Sequence, residues 1–127
     1  MLEPTIRDLA HGPNYAALTI IPPSGHPMTH VMWVDADDDH VLINTEAHRA
    51  KAKAMDTDPR VTVAILDRDN PYHYAEVRGH VVGTVKGDAA RAHIDALAVK
   101  YTGQPYAGEI VSERVIYRIA PDRQRIQ

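Results

Sequence analysis

Along most of this chain apolar and polar residues alternate with the period of a strand, and three stretches switch to the period of a helix. Leu2 to Leu9 puts Leu2, Ile6 and Leu9 on one side and predicts a short helix, ended by Gly12, Pro13 and Asn14. Tyr15 to Ile21 and Met28 to Val34 follow as strands joined by the turn Pro22-Pro23-Ser24-Gly25. In the second of these, alternation sets Met28, His30, Met32 and Val34 on one face and Thr29, Val31 and Trp33 on the other. Asp35 to Asp39 reads as an acidic, solvated turn before a third strand, His40 to Asn44. Thr45 is a good N-cap for a helix running to about Met55, with Ala47, Ala50, Ala54 and Met55 buried and Asp58-Pro59 as the stop. Arg60 to Asp67 is the fourth strand. After the turn Asp69-Asn70-Pro71 comes a long fifth strand, Tyr74 to Val85, in which Gly79 and Gly83 mark bends or bulges. Gly87 to Tyr101 is the strongest helix, with Ala90, Ile94, Leu97, Ala98 and Tyr101 on one face. Thr102 to Gly108 is a loop, Arg114 to Ala120 the last strand, and the segment after Pro121 a polar tail.

Strands joined mostly by tight turns, with helices attached, predict a mainly β fold, an antiparallel barrel. The 127 residues suit a single domain over 1–127. A domain of this size leaves much of its surface exposed, so a deep site for a large cofactor is easier to build between two copies. Hydrophobic content of 44% and charged content of 24% are ordinary for a soluble globular chain. The net charge of -3 argues against a nucleic-acid binder and requires any anion site to be a local basic cluster. The absence of cysteine excludes disulfides, thiolate metal sites and cysteine nucleophiles, and fits a reducing compartment. Met1 to Pro13 carries charges and no long apolar run, so no signal peptide is expected. No stretch approaches the roughly 20 apolar residues of a membrane span, so a cytoplasmic location is expected.

Three segments can carry chemistry. The densest cationic cluster, His48-Arg49-Ala50-Lys51-Ala52-Lys53, falls at a predicted helix start, where unpaired N–H groups and the helix dipole favour a phosphate or carboxylate; the alternative is a solvated helix face. Thr29-His30-Val31-Met32-Trp33 holds the only tryptophan, either as a surface for a flat ring system or as a core residue beside an incidental histidine. Asn70 to Gly79 crowds Tyr72, His73 and Tyr74 at a strand entrance, as part of a site or as interface and core packing. His26 and His30 lie roughly 13 Å apart on one extended strand, too far to share a metal. No metal site is expected, and no Rossmann fingerprint, P-loop or nucleophile elbow is present.

In order and spacing these segments resemble the pyridoxamine 5'-phosphate oxidase-like split β-barrel superfamily, in its flavin/deazaflavin oxidoreductase branch of probable F-420-dependent enzymes. The resemblance rests on Val31-Met32-Trp33-Val34-Asp35, Val41 to Thr45 through Arg49-Ala50-Lys51, Asp58-Pro59-Arg60-Val61, and Asp69-Asn70-Pro71-Tyr72 with Glu76-Val77-Arg78-Gly79. Ile94 to Leu97, Lys100-Tyr101-Thr102-Gly103 and Arg114-Val115-Ile116-Tyr117 extend it over nearly the whole chain. It implies a six-stranded antiparallel split β-barrel and an obligate homodimer with cofactor grooves between subunits. It implies that Arg49 and Lys51 bind the cofactor's phosphate with Asn44 and Thr45 beside them. His30, Val31, Met32 and Trp33 would lie along the tricyclic ring, and Tyr72, His73 and Tyr74 would reach the site from the partner subunit. The implied activity is hydride transfer between reduced F-420 and an unsaturated small molecule. The alternatives are an FMN enzyme of the same fold, a non-catalytic F-420 carrier, and a purely structural β-barrel module. His30 stands where many relatives carry a proline or small polar residue, and is the candidate catalytic acid.

Overall fold

The computed structural model describes all 127 residues. The chain runs α1 (Pro4–His11), β1 (Tyr15–Ile20), β2 (Met28–Met32), β3 (Asp35–Ala36), β4 (Val41–Glu46), α2 (Ala50–Thr57), β5 (Arg60–Leu66), β6 (Tyr74–Lys86), α3 (Asp88–Thr102) and β7 (Arg114–Ile126). All strand pairs are antiparallel, in the order β2-β1-β5-β6-β7-β4-β3.

Two long strands shape the barrel. The first half of β6, Tyr74 to His80, pairs with β5, whereas its second half leaves β5 and pairs only with β7. The first half of β7 has β4 on its other side, paired from Arg114↔Glu46 to Ile119↔Val41. The β6–β7 ribbon is thus shared by two arms, β2-β1-β5 and β4-β3, and its register slips at Arg78/Gly79 and Val81/Gly83. Slips of this kind bend and twist a strand pair. Gly79 is required at the first: a Cβ there would stand 2.2 Å from the Ala120 carbonyl oxygen.

The concave side of the sheet holds a core of 22 buried residues, among them Leu18, Ile20, Val63, Ile65, Val77, Ile43, Tyr117 and Ile119. Helix α1 adds Ile6, Leu9 and Ala10, with Leu2 just before it, and α2 adds Ala52, Ala54 and Met55. Helix α3 packs on β4, β6 and β7 and buries Ala90, Ile94, Leu97 and Ala98 outside that cluster. On the same side, Asn44 of β4 reaches up to the Ala90 carbonyl of α3.

Four sequence expectations change. The sheet has seven strands rather than six, because Asp35-Ala36, expected in the acidic turn, pairs with Leu42-Val41 as β3. Thr45 is not an N-cap: it continues β4 opposite Val115, and α2 begins at Ala50 with Arg49 in the cap position and no side-chain cap bond. A β-branched residue opposite a partner strand follows the ladder, and tertiary pairing overrides the capping preference. The strand expected to reach Val34 stops at Met32, where the β1 pairing ends. The polar tail is strand as far as Ile126, crossing Pro121 at the Gly79 bulge. That half of β7 pairs with β6 alone, and an edge tolerates a residue without an N–H.

Candidate functional site

A groove of about 270 Å³ opens where β2, β4, α2, α3 and β7 meet, lined by Met32, Trp33, Asn44, Thr45, Arg49, Lys51, Ile94, Tyr106 and Arg114. One wall is aromatic. Trp33, just past the end of β2, stacks on Tyr101 of α3 with centroids 5.1 Å apart and planes at 5°, and Tyr106 meets its edge at 6.4 Å. Tyr101 is fixed by donating to the Asn14 carbonyl and accepting from the Val34 N–H, and burial raises its phenol to about 12. Lys100 donates to the Ala10 and Val34 carbonyls at 2.8 and 2.6 Å, tying α3 to α1 and to the segment after β2.

The opposite wall is cationic. Arg49 is the cap residue of α2 and Lys51 lies in its first turn, where the leading N–H groups have no side-chain cap. Burial, then the charges of Arg49 and Arg114, lower Lys51 below its ordinary value of 10.5. Arg114 is buried, and burial lowers it too, against the opposing pull of Tyr106 and Glu46. Its guanidinium lies 5.2 Å from the Tyr106 ring centre.

Beneath the groove runs a continuous polar chain. Arg114 Nε donates to Asn44 Oδ1 at 2.9 Å, and its Nη1 lies 3.7 Å from Glu46 Oε2. Glu46, 1% exposed, accepts the Val111 and Ser112 N–H groups at 2.7 and 2.8 Å. Burial alone would raise the Glu46 carboxyl; those two donors with Arg114 and His48 hold it below the usual range. On the other side Asn44 Nδ2 contacts His93 Nδ1 at 3.0 Å, and His93 Nε2 meets Asp35 Oδ2 at 2.9 Å. No buried side-chain nitrogen or oxygen lacks a partner.

Six of the residues singled out from sequence share this groove: Met32, Trp33, Asn44, Thr45, Arg49 and Lys51. The Asn44 amide is engaged within the protein at both ends, by Arg114 and by Ala90 and His93. His30 does not line the groove, though it is close enough to Lys51 that burial and then the lysine charge lower its imidazole. Val31 points away from it, 74% exposed, into a second depression of about 460 Å³ shared with Tyr15, Ala17, Leu66 and Pro71. Tyr72, His73 and Tyr74 sit beside that depression: Tyr72 is 87% exposed, and His73 contacts Asp67 at 3.2 Å. Sequence reasoning missed Tyr106 and Arg114, which an irregular segment and a strand start bring in from far along the chain. Ile94 was read only as a helix core position.

The pyridoxamine 5'-phosphate oxidase family model matches residues 2–127. Among solved structures, an F-420 reductase is 28% identical with a TM-score of 0.83, covering 98% of each chain. A conserved hypothetical protein from Mycobacterium tuberculosis is 27% identical with a TM-score of 0.77, covering 99% of this chain and 84% of its own. The heme storage protein of Vibrio cholerae shares the fold at 12% identity and a TM-score of 0.70, covering 98% of this chain and 94% of its own. No curated protein matches. The match over residues 2–127, with an antiparallel half-barrel of the same shape, places the chain in the pyridoxamine 5'-phosphate oxidase family.

Proposed function

We propose that this protein is an F-420-dependent oxidoreductase that passes a hydride between reduced F-420 and an unsaturated small molecule. The family and the F-420 reductase neighbour support a flavin-type cofactor. The observation that carries the reading is one groove with an apolar, aromatic wall at Met32, Trp33 and Tyr106 and a cationic wall at Arg49, Lys51 and Arg114. A tricyclic ring with a phosphorylated side chain needs both. Three cations line the groove and only Arg114 is paired with a buried carboxylate, Glu46, leaving a positive surplus that suits an anionic phosphate. The groove is open to solvent, and a wide basic groove favours F-420, whose oligoglutamyl tail FMN lacks.

When bound, reduced F-420 would supply the hydride. Arg49 and Lys51 hold the phosphate, with the uncapped N–H groups of α2 adding donors. Met32 and Trp33 limit the ring's position, and orientation is the protein's chief contribution to rate. His30 is held toward its neutral form and lies off the groove, which favours solvent as the proton source. We further propose a homodimer closed over the Val31 depression, with Tyr72, His73 and Tyr74 of each copy reaching toward the other's groove. The exposed Tyr15, Val31 and Tyr72 side chains support it.

The test is calorimetry of apo-protein with F-420 and FMN separately, followed by turnover of an enone with reduced F-420. Tight F-420 binding with enone reduction is expected. Tight FMN binding with none of F-420 would overturn the reading in favour of the flavin enzyme. F-420 binding without reduction of any acceptor would make the protein a carrier.

A further inference from the structure

Arg114 has the placement of a ligand and the support of a positioned group. It begins β7, some sixty residues after Arg49 and Lys51, yet lines the same groove. It is 8% exposed, so burying its charge must be offset within the protein. Two of its nitrogens are committed: Nε to Asn44 Oδ1 at 2.9 Å, and Nη1 facing Glu46 Oε2 at 3.7 Å. The ring of Tyr106 lies against the guanidinium. These contacts fix the plane of the guanidinium, and Arg114 is among the residues that line the cavity.

The positive surplus is not explained by structure alone. One carboxylate, Glu46, is paired with Arg114, while Arg49 and Lys51 have no ion-pair partner among the salt bridges. Lys51 is lowered in part by the charges of Arg49 and Arg114, so the three cations repel one another across the groove. Such an arrangement costs stability unless an anion occupies it. With Nε and Nη1 engaged, Nη2 remains as a charge-assisted donor to a phosphate oxygen, held in one place by the other two contacts.

Resting on the cofactor reading above, we propose that Arg114 is a third ligand of the cofactor's phosphate, and that Glu46 is its positioning residue. Glu46 has a second task. Its Oε1 accepts the Val111 and Ser112 N–H groups, fastening the end of the loop that leads into β7, while Asp95 Oδ1 accepts the Tyr106 N–H at 3.0 Å. One buried carboxylate therefore holds both the arginine and the two residues, Val111 and Ser112, just ahead of its strand.

The experiment removes the ligand without stranding a buried charge. Truncating Arg114 alone leaves Glu46 unpaired and threatens folding. The comparison is therefore Glu46→Gln against Glu46→Gln/Arg114→Met, since glutamine keeps an acceptor for Val111 and Ser112. Affinities for inorganic phosphate and for F-420 are measured by calorimetry, with thermal unfolding confirming that both variants are folded. The double variant is expected to bind both ligands at least tenfold more weakly than Glu46→Gln, and Lys in place of Met to restore part of the loss. Equal affinities in the two folded variants overturn the proposal and leave the F-420 reading standing. Wild-type protein that binds neither phosphate nor F-420 overturns both.

Discussion

The groove at Trp33 and the depression at Val31 share one aromatic row, Trp33–Tyr101–Tyr15, but are held by different forces. The groove is polar and preorganised: Asp35, His93, Asn44, Arg114 and Glu46 form an unbroken chain beneath it. The depression is mainly apolar, formed by the outer faces of β1, β2 and β5 with Tyr15, Ala17, Val31 and Leu66, and carries Asp67 and Arg68 at its edge. A surface already fixed by its own chain is suited to recognising a small, charged molecule. A bare apolar surface is suited to another protein surface, which supplies the missing packing on contact. The proposed function thus divides the fold, with electrostatic recognition on the α2–β7 side and association on the β1–β2 side.

That division can be broken from either side. The largest effect is expected from Arg49→Ala/Lys51→Ala, which removes two charge-assisted contacts. F-420 affinity should fall by on the order of a hundredfold, close to ~3 kcal/mol. Thermal unfolding and oligomeric state should hold; a parallel loss of stability would mean the cations are structural. Gly79→Ala tests the bend that brings the two arms together. With the Ala120 carbonyl oxygen 2.2 Å from the new Cβ, the β6–β7 ribbon must shift. A loss of about 2 kcal/mol in denaturant unfolding is expected.

Val31→Asp addresses the apolar side. Val31 is 74% exposed in the single chain, so the fold should tolerate the change. Sedimentation velocity should show a dimer for the wild type and a monomer for the variant. A wild-type monomer at micromolar concentration would remove the association half of the comparison. The smallest effect is a pH dependence. Lys51 is depressed by burial and by Arg49 and Arg114, and a bound anion favours its charged form. Phosphate affinity should therefore be greatest where Lys51 is protonated in the free protein. It should weaken as pH rises through the depressed value, at a lower pH than an ordinary lysine would give. Lys51→Arg, which stays charged, should flatten that decline in titrations run from neutral pH up toward the ordinary lysine value of 10.5.

The period-two runs gave β1, β5 and β6 nearly to the residue, because each buries one face and the alternation is read directly. Gly79 and Gly83 were legible as bends because a missing side chain inside a strand marks a bulge. The errors lie where long-range pairing decides. Thr45 resembles a cap locally and is a strand residue because β7 lies beside it. Residues 122–126 look like a polar tail and are strand because β6 accepts their ladder bonds. At the site, the local cluster Arg49-Lys51 and the lone tryptophan were visible as unusual chemistry in short windows. Tyr106 was not, and Arg114 entered only within the Arg114-Val115-Ile116-Tyr117 resemblance with no site role, since only the fold carries them to Trp33.

Trp33 is the sole tryptophan and forms part of the groove wall, so its fluorescence reports on the site without a label. Titrating apo-protein with F-420 while following that emission tests the central claim most directly. The account predicts saturable quenching by F-420 that disappears in Arg49→Ala/Lys51→Ala. Emission indifferent to F-420, or quenching by F-420 that survives the double substitution unchanged, would contradict it.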